Sequence, residues 1–301
     1  MSDGVERGLR VVEAVFAKRA AKDRPRRPRS VRPSEIGAGC QRKTWLRFRW
    51  VGEVESFDGR MLRLFDRGHR EEAVFERELK AIGVDITTRD PNDGTKQIGF
   101  STMAGHVNGF LDGIATNMPG STEDTVVVEF KTHSEKSFKD LMKKGVKESK
   151  PAHWSQMQLY MGEMELDEAF YMAVNKNTDE LYGEYVLFDG DAYARMMENA
   201  HDVIFGVVAP PKISHDPNFY LCRMCSEVES CQRNKEPHKS CRSCEHSRPS
   251  TEEDQAIDGF PNSSPNVWVC EFHGIPLDIE AQITGCSHYE LSLYLKTELE
   301  C

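Results

Sequence analysis

Val5, Leu9, Val12 and Phe16 recur at spacings of four, three and four, which places them on one face of a first helix that ends before an Arg/Pro-rich stretch. That face suits either docking onto the rest of the chain or contact with a partner. Ser34 offers an N-cap for a second helix carrying Cys40, Trp45 and Leu46, and 57–82 is predicted as a longer helix that Gly83 ends. On the longer helix Met61, Phe65, His69, Glu72 and Glu76 lie on adjoining turns, so His69 and Glu72 share a face. The pattern then turns to strands. Residues 85–90, 96–101, 106–115 and 124–131 are short β-rich runs separated by Gly, Asn and Pro turns, as in a meander. Helices at 134–145 and 151–164, strands at 168–175 and 181–187 and a helix at 191–207 follow, and Pro210-Pro211 closes the region. There is no internal repeat. The expected fold class is α/β, a central mixed sheet flanked by helices, followed by a Cys-rich segment poor in apolar runs.

At 301 residues with 39% hydrophobic and 29% charged positions, the chain can bury a sizeable core in about two domains. Disorder along the whole chain and a fibrous architecture are both excluded by this composition. No apolar run is long enough to span a membrane, and the first ten residues lack the apolar stretch of a signal peptide, so an intracellular, cytoplasmic protein with no membrane partner is expected. The net charge of −10 hides an asymmetry: residues 1–50 hold 14 Lys/Arg against 5 Asp/Glu, a net of +9, leaving −19 for 51–301. Within the basic arm Arg24, Arg26, Arg27, Arg29 and Arg32 sit among prolines, and Arg42, Lys43, Arg47 and Arg49 alternate with Trp45, Phe48 and Trp50. Basic residues interleaved with aromatics are what single-stranded nucleic acid binds. A solvated linker followed by an amphipathic helix gives the same pattern.

The chemistry-bearing residues begin with Asp112, which ends the run Gly-Phe-Leu-Asp, and with Glu129 and Lys131 in Val-Val-Val-Glu-Phe-Lys. Strand alternation puts Glu129 and Lys131 on one face. Two carboxylates on neighbouring strands make a hard-oxygen site for a divalent cation, and a lysine beside them can orient water, the logic of metal-assisted phosphodiester hydrolysis. An exposed salt bridge is the competing explanation. Carboxylates at the ends of apolar strands are costly unless paired or metal-bound, which favours the site.

Nine cysteines complete the inventory: Cys40 alone, and eight beyond residue 221. Without a secretory signal, C-x2-C spacings read as metal or cluster ligation sooner than as disulfides. Cys222-x2-Cys225-x5-Cys231 forms one set, which binds zinc with His215 or His238 if Cys40 is only a buried hydrophobe. Cys241-x2-Cys244-x25-Cys270-x15-Cys286 forms a second set, suited to structural zinc, in which His246, His273 or His288 can replace a cysteine. Cys301 is unassigned. His106, His133 and His153 flank the motifs as solvent or packing residues. No G-x4-G-K-[ST] phosphate loop occurs, so the chain carries no such motor.

In order along the chain stand Arg-Gly-His69-Arg-Glu-Glu72, Gly109-Phe-Leu-Asp112, Glu129-Phe-Lys131 and Gln156-Met-Gln-Leu-Tyr160. This series resembles the RecB-like branch of the PD-(D/E)xK nucleases over about residues 57–175. The resemblance implies a restriction-endonuclease-like core in which His69, Asp112, Glu129 and the Phe130 carbonyl bind Mg²⁺ or Mn²⁺, Lys131 is the catalytic lysine, and Gln156 and Tyr160 contact the DNA strand. Taken without it, His69 is a surface or capping histidine, Gln156 and Tyr160 are a helix-face pair, and Glu72 is a support for His69 or a salt-bridge partner. Cys40 with Cys222, Cys225 and Cys231 resembles the iron–sulfur members of that branch, including AddB-type and CRISPR-adaptation nucleases, whose one early and three late cysteines hold a [4Fe–4S] cluster. The organisation that follows is an N-terminal helix and basic segment at 1–33, a nuclease domain at 34–235 and a zinc-binding region at 236–301. The implied activity is a DNA exonuclease on single-stranded or frayed ends, in replication, recombination or repair, with Arg42, Lys43, Trp45 and Arg47 against DNA. A structure-specific endonuclease, or a non-catalytic nucleic-acid-binding protein in a replication or recombination assembly, are the rival readings.

Overall fold

The computed structural model describes every residue except 1, 38, 234, 258, 262–265, 300 and 301, and omits the side chains of 297–299. Cys301 therefore lies outside the described residues. The N-terminal half runs α1 (Asp3–Ala20), α2 (Pro33–Ile36), α3 (Gln41–Phe48), α4 (Gly59–Ala81), β1 (Asp85–Thr87), β2 (Gly99–Thr102), β3 (Val107–Phe110), β4 (Gly113–Thr116), β5 (Thr125–His133), α5 (Glu135–Ser149) and α6 (Pro151–Met164). It continues with β6 (Glu168–Asn175), β7 (Leu181–Leu187), α7 (Gly190–Phe205), α8 (Val228–Gln232), β8 (Ser247–Pro249), α9 (Glu252–Gln255), β9 (Trp268–Cys270), β10 (Ile275–Leu277), α10 (Ile279–Thr284) and α11 (Leu293–Leu299).

The run Val126-Val-Val-Glu-Phe130 is apolar on both sides because β5 is the middle of a five-stranded sheet ordered β1-β4-β5-β6-β7. Its pairing with β6 is parallel and every other pairing antiparallel, which makes the sheet mixed. Alternation along β5 feeds two cores. Val126, Val128 and Phe130 pack with Phe75 and Leu79 of α4 and with Val84 and Ile86. Val127 faces the other way, among Leu141 and Val146 of α5, Met157, Tyr160 and Met161 of α6, and Ala169, Tyr171 and Ala173 of β6. The expected mixed sheet between helical layers is thus the observed architecture. Asp58 caps α4 through its carboxylate, which accepts from Met61 N–H at 2.7 Å, and α1 crosses the start of α4 so closely that Gly59 has no room for a Cβ against the Phe16 carbonyl.

Two expectations about element boundaries are corrected. The helix predicted to carry Cys40 is two helices, α2 and α3; Cys40 is the extended N-cap of α3, and Gly39, at φ +101, stands just before it. The single run 106–115 is two strands. β3 forms a separate hairpin with β2, β4 joins the main sheet, and the chain turns between them at Leu111-Asp112.

A third core joins α3 and α7 to the Cys-rich segment: Trp45, Leu46, Phe48, Ala200, Val203 and Ile204 cluster with Cys241, Trp268, Cys270 and Leu277. Two buried arginines fix this junction. Arg49 donates to the carbonyls of Val203, Ile204 and Gly206 at 2.7–3.0 Å and lies 4.1 Å from the Trp45 ring centroid. Arg242 donates to Gln282 Oε1 (2.7 Å) and to the carbonyls of Phe48 and Arg29 (3.0 Å each), its guanidinium 4.2 Å from Trp50 and 5.1 Å from both Phe48 and Trp268. Burial drives both guanidinium pKa values down, Arg49 to about 9 and Arg242 further below its ordinary value, with Arg49 and Arg29 as like charges adding to the effect at Arg242. Carbonyl dipoles and ring faces replace the lost water. No helix among the described residues is long and apolar enough to cross a membrane.

Arg242→Ala removes three hydrogen bonds and leaves a cavity among three aromatic rings, so it is expected to lower unfolding stability by about 3–5 kcal/mol. Lysine is expected to restore less than half, since it lacks the planar fork. Denaturant unfolding of the two variants beside the wild type measures both.

Candidate active site and metal sites

Glu129 stands in the middle of β5 with 0% exposure. Lys131 Nζ pairs with its Oε1, as expected for two residues on one strand face, and Gln156 Nε2 donates to its Oε2 at 3.3 Å. Oε1 takes no hydrogen bond of ordinary geometry. Burial pushes the Glu129 carboxyl up to about 7; Lys131 opposes this, while Asp112 and Glu72 add to it. At Lys131 burial works against the charge, but Glu129, Asp112 and Glu72 outweigh it and hold the ammonium protonated. Three carboxylates therefore act on one lysine, although only Glu129 pairs with it directly, and among the described residues no three of His69, Glu72, Asp112 and Glu129 bring their ligand atoms within 4.8 Å of one another. The excess negative charge is what a divalent cation would neutralise.

Asp112 lies in the turn between β3 and β4, where its Oδ2 accepts from Phe130 N–H at 2.7 Å, locking the turn to the strand that carries Glu129 and Lys131. Phe130 itself points into the α4 core, its ring 5.1 Å from Phe75. Phe75 follows Glu72 by three residues and His69 by six, so the turn that packs α4 on β5 brings Glu72 toward the acids. The Glu72 pKa is raised, by burial first and then by Asp112, and lowered in part by His69 and Lys131. His69 is exposed on the same helix. Glu72 is the member that sequence reasoning left as a helper; its i+3 spacing from His69 was the available signal.

Behind the acids, Gln156 Nε2 also donates to Tyr160 Oη at 2.7 Å, and that hydroxyl donates to the Phe110 carbonyl at 2.8 Å. Gln156 and Tyr160 thus tie Glu129 to the end of β3. Gly109 sits between the rings of Phe100 and Tyr160, with Tyr160 Cε1 only 2.9 Å from where a Cβ would stand. Burial, then the nearby Glu129, raises the Tyr160 pKa, while Gln156 and Arg32 work in the opposite sense. The flanking histidines are packing groups as expected for the buried pair: His106 Nε2 bonds the Ser250 carbonyl (3.0 Å), and His133 Nε2 meets Tyr171 Oη (2.8 Å). His153 Nδ1 meets the same hydroxyl at 2.9 Å.

Cys40, Cys222, Cys225 and Cys231 line one cavity of about 420 Å³, together with Lys43, Lys212 and Glu227. Neither His215 nor His238 is among its described lining residues. Four thiols around one void match the donor set of a four-iron cluster. The eight described cysteines are free. In the C-terminal region Cys241, Cys244 and Cys270 are buried, whereas Cys286 is exposed and has His273 and His288 beside it. Burial raises the Cys241 thiol to about 11, with Cys244, Cys286 and Cys270 adding to the shift.

Of the four residues expected against DNA, Trp45 and Arg42 turn inward, whereas Lys43 and Arg47 stay partly exposed. Trp45 is buried with Nε1 donating to the Gly206 carbonyl at 2.8 Å, and a ring inside the core offers no face to a base. Arg42 is buried and donates to the Pro210 carbonyl at 2.9 Å. Arg47 pairs with Glu35, and Lys43 lines the thiol cavity. Arg24, Arg26, Arg29 and Arg32 of the basic arm are exposed, and Arg32 is the one whose charge reaches Tyr160.

No protein-family model matches the chain. No curated protein matches it. Among solved structures, the alkaline exonuclease LHK-Exo of Laribacter hongkongensis aligns with a TM-score of 0.39 at 14% identity, over 64% of this chain and 90% of its own. Its complex with dAMP gives 0.41 at 17% identity over the same shares. The protein SSO0001 gives 0.40 at 15%, over 73% of this chain and 96% of its own. Likeness at this level says nothing of activity.

A buried carboxyl whose pKa is raised from its unfolded value to about 7 favours the folded state below the unfolded pKa and loses that contribution as pH climbs toward 7. In chelator, Glu129→Gln is therefore expected to be more stable than the wild type at pH 8, by on the order of 1–3 kcal/mol, and no more stable at pH 4.5. Thermal melts at the two pH values decide it.

Proposed function

We propose that the chain is a metal-dependent DNA nuclease that acts as an exonuclease on single-stranded or frayed ends. The observation that carries the reading is the pairing of buried Glu129 with half-buried Lys131 and the surplus of negative charge from Asp112 and Glu72. Carboxylates that raise one another's pKa repel a bare phosphate, so the arrangement favours a site that takes a cation over one that only binds nucleic acid. In this reading Asp112, Glu129, His69 and the Phe130 carbonyl hold Mg²⁺ or Mn²⁺, which supplies Lewis-acid stabilisation of the charge that develops on the phosphate. Lys131, kept protonated by its acidic neighbours, orients the attacking water and adds a fixed positive charge beside the phosphate. Gln156 and Tyr160 tie Glu129 to the end of β3, next to the turn that carries Asp112, and so hold the two acids in a fixed relation. Arg32, whose charge reaches Tyr160, and the exposed Arg24, Arg26 and Arg29 of the same segment supply positive charge for a nucleic-acid backbone.

Cys40, Cys222, Cys225 and Cys231 fit an iron–sulfur cluster that joins the N-cap of α3 to the segment after α7. The cluster would act as a staple, and none of the four thiols belongs to the acidic site.

End-labelled linear and closed circular single-stranded DNA, incubated with anaerobically purified protein and Mn²⁺, test the activity. Progressive loss of the linear substrate alone, absent in Glu129→Ala, is expected. Cleavage of the circle would make the enzyme an endonuclease, and binding without cleavage under every metal condition would leave an assembly protein. Lys131→Ala is expected to lose cleavage by about 10²-fold or more while binding DNA within about 2-fold of the wild type. Cys40→Ala is expected to be purified with its iron content lost, measured by elemental analysis; retention of full iron would remove Cys40 from the cluster. Activity is expected to be higher in Mn²⁺ than in Mg²⁺, since an imidazole at His69 suits the softer ion.

A further inference from the structure

Two turns of the C-terminal region, from separate elements, bring three metal-binding side chains to one exposed face. His273 lies in the β9–β10 turn, three residues after Cys270, and the turn is closed by Gly274 N–H to the Cys270 carbonyl at 2.8 Å, with Gly274 at φ +64. Cys286 and His288 follow α10, released from it by Gly285 at φ +65, and Tyr289 N–H returns to the Cys286 carbonyl at 3.2 Å. One ligand atom of each of His273, Cys286 and His288 lies within 4.8 Å of the other two. Cys286 Sγ is 3.8 Å from His273 Nε2. A tetrahedral zinc with bonds of roughly 2.3 Å to sulfur and 2.05 Å to nitrogen sets a sulfur–nitrogen separation of about 3.6 Å, so this pair is already close to its bound spacing.

The rings are held at angles that suit convergence. His273 and His288 cross at 76° with centroids 5.5 Å apart, and Phe272 stacks on His288 at 4.7 Å and 28°. Among the described residues this is the group of three or more His, Cys, Asp or Glu side chains whose ligand atoms stand so near one another. Two imidazoles and one thiolate form a donor set for a borderline-soft cation, and a surface position leaves room for a fourth, non-protein ligand. The set differs from the four cysteines that the spacing pattern selects: Cys241, Cys244 and Cys270 are buried, and Cys241 Sγ is engaged with the Ala281 carbonyl at 3.5 Å.

We propose that this face binds Zn²⁺ through His273, Cys286 and His288, with the fourth position open to solvent. The ion ties the β9–β10 turn to the segment after α10, two pieces that no strand pairing joins, and it presents an exchangeable coordination position on the protein surface. The site is separate from the acidic one, and its test does not depend on cleavage.

Zinc per chain is measured by elemental analysis of the full-length protein after equilibration with ZnSO₄ and gel filtration, for the wild type, for the double variant His273→Ala/His288→Ala and for His246→Ala. His246 approaches Phe272 at 5.3 Å but is not one of the three. The double variant is expected to hold one zinc fewer per chain than the wild type, and His246→Ala the same as the wild type. Both replaced side chains are exposed, so circular dichroism is expected to report an unchanged fold. Cobalt substitution gives a second reading: the sulfur-to-cobalt charge-transfer absorption removed with the two histidines should match one thiolate. Equal zinc in the wild type and the double variant would overturn the proposal and leave the ion to the four cysteines. A wild type that retains no zinc would also overturn it.

Discussion

A carboxylate with no exposed surface, set in the central strand of the sheet, is the constraint that organises this molecule. Isolated, such a group costs several kcal/mol to bury in its charged form. Lys131 offsets one charge, but Asp112 and Glu72 restore the surplus, and the Glu129 carboxyl responds by holding its proton up to about 7. A stable fold gains nothing from this arrangement. A further positive charge beside it would relieve that surplus, which is why a cation is proposed there.

Much of the surrounding fold serves to fix that spot. The turn between β3 and β4 is locked by Asp112 to Phe130 N–H, α4 is seated by Phe75 against Phe130, and α6 reaches over through Gln156 and Tyr160. The four contacts come from three separate elements, yet all end within one residue of Glu129 or on the strand end beside Asp112. Positioning from several directions keeps acids and lysine together despite the repulsion among the carboxylates.

The sheet and its helical layers were legible because both depend on local periodicity. The apolar run in 125–133 and the apolar face of α4 carry their own signal, and the two-residue period of a strand alone was enough to pair Glu129 with Lys131. The division at Leu111-Asp112 was not legible, since the residues on either side are equally strand-like and only the distant Phe130 N–H fixes the turn. The two helices around Cys40 were merged for a similar reason: Gly37 and Gly39 permit a break but do not demand one. Glu72 was visible beside His69, but its approach to Asp112 depends on how α4 is seated on the sheet.

Arginine among aromatics carries two opposite meanings, and Trp45 shows why composition cannot separate them. A planar cation stacked on an indole ring is favourable at a wet nucleic-acid surface and equally so in a dry core, provided the guanidinium protons find acceptors. In this chain the acceptors are backbone carbonyls freed at the C-terminal ends of α7 and α3 and at Arg29, with the Gln282 side-chain oxygen, which only the folded chain brings to Arg49 and Arg242. The basic character of the first fifty residues is thereby divided: Arg49 and Arg42 turn inward, and Arg24, Arg26, Arg29 and Arg32 remain outside. The inward pair, with Arg242 from the other end of the chain, clamps α3 between α7 and the Cys-rich segment. That clamp holds the start of α3, where Cys40 sits, in a fixed relation to the three later thiols across the cavity.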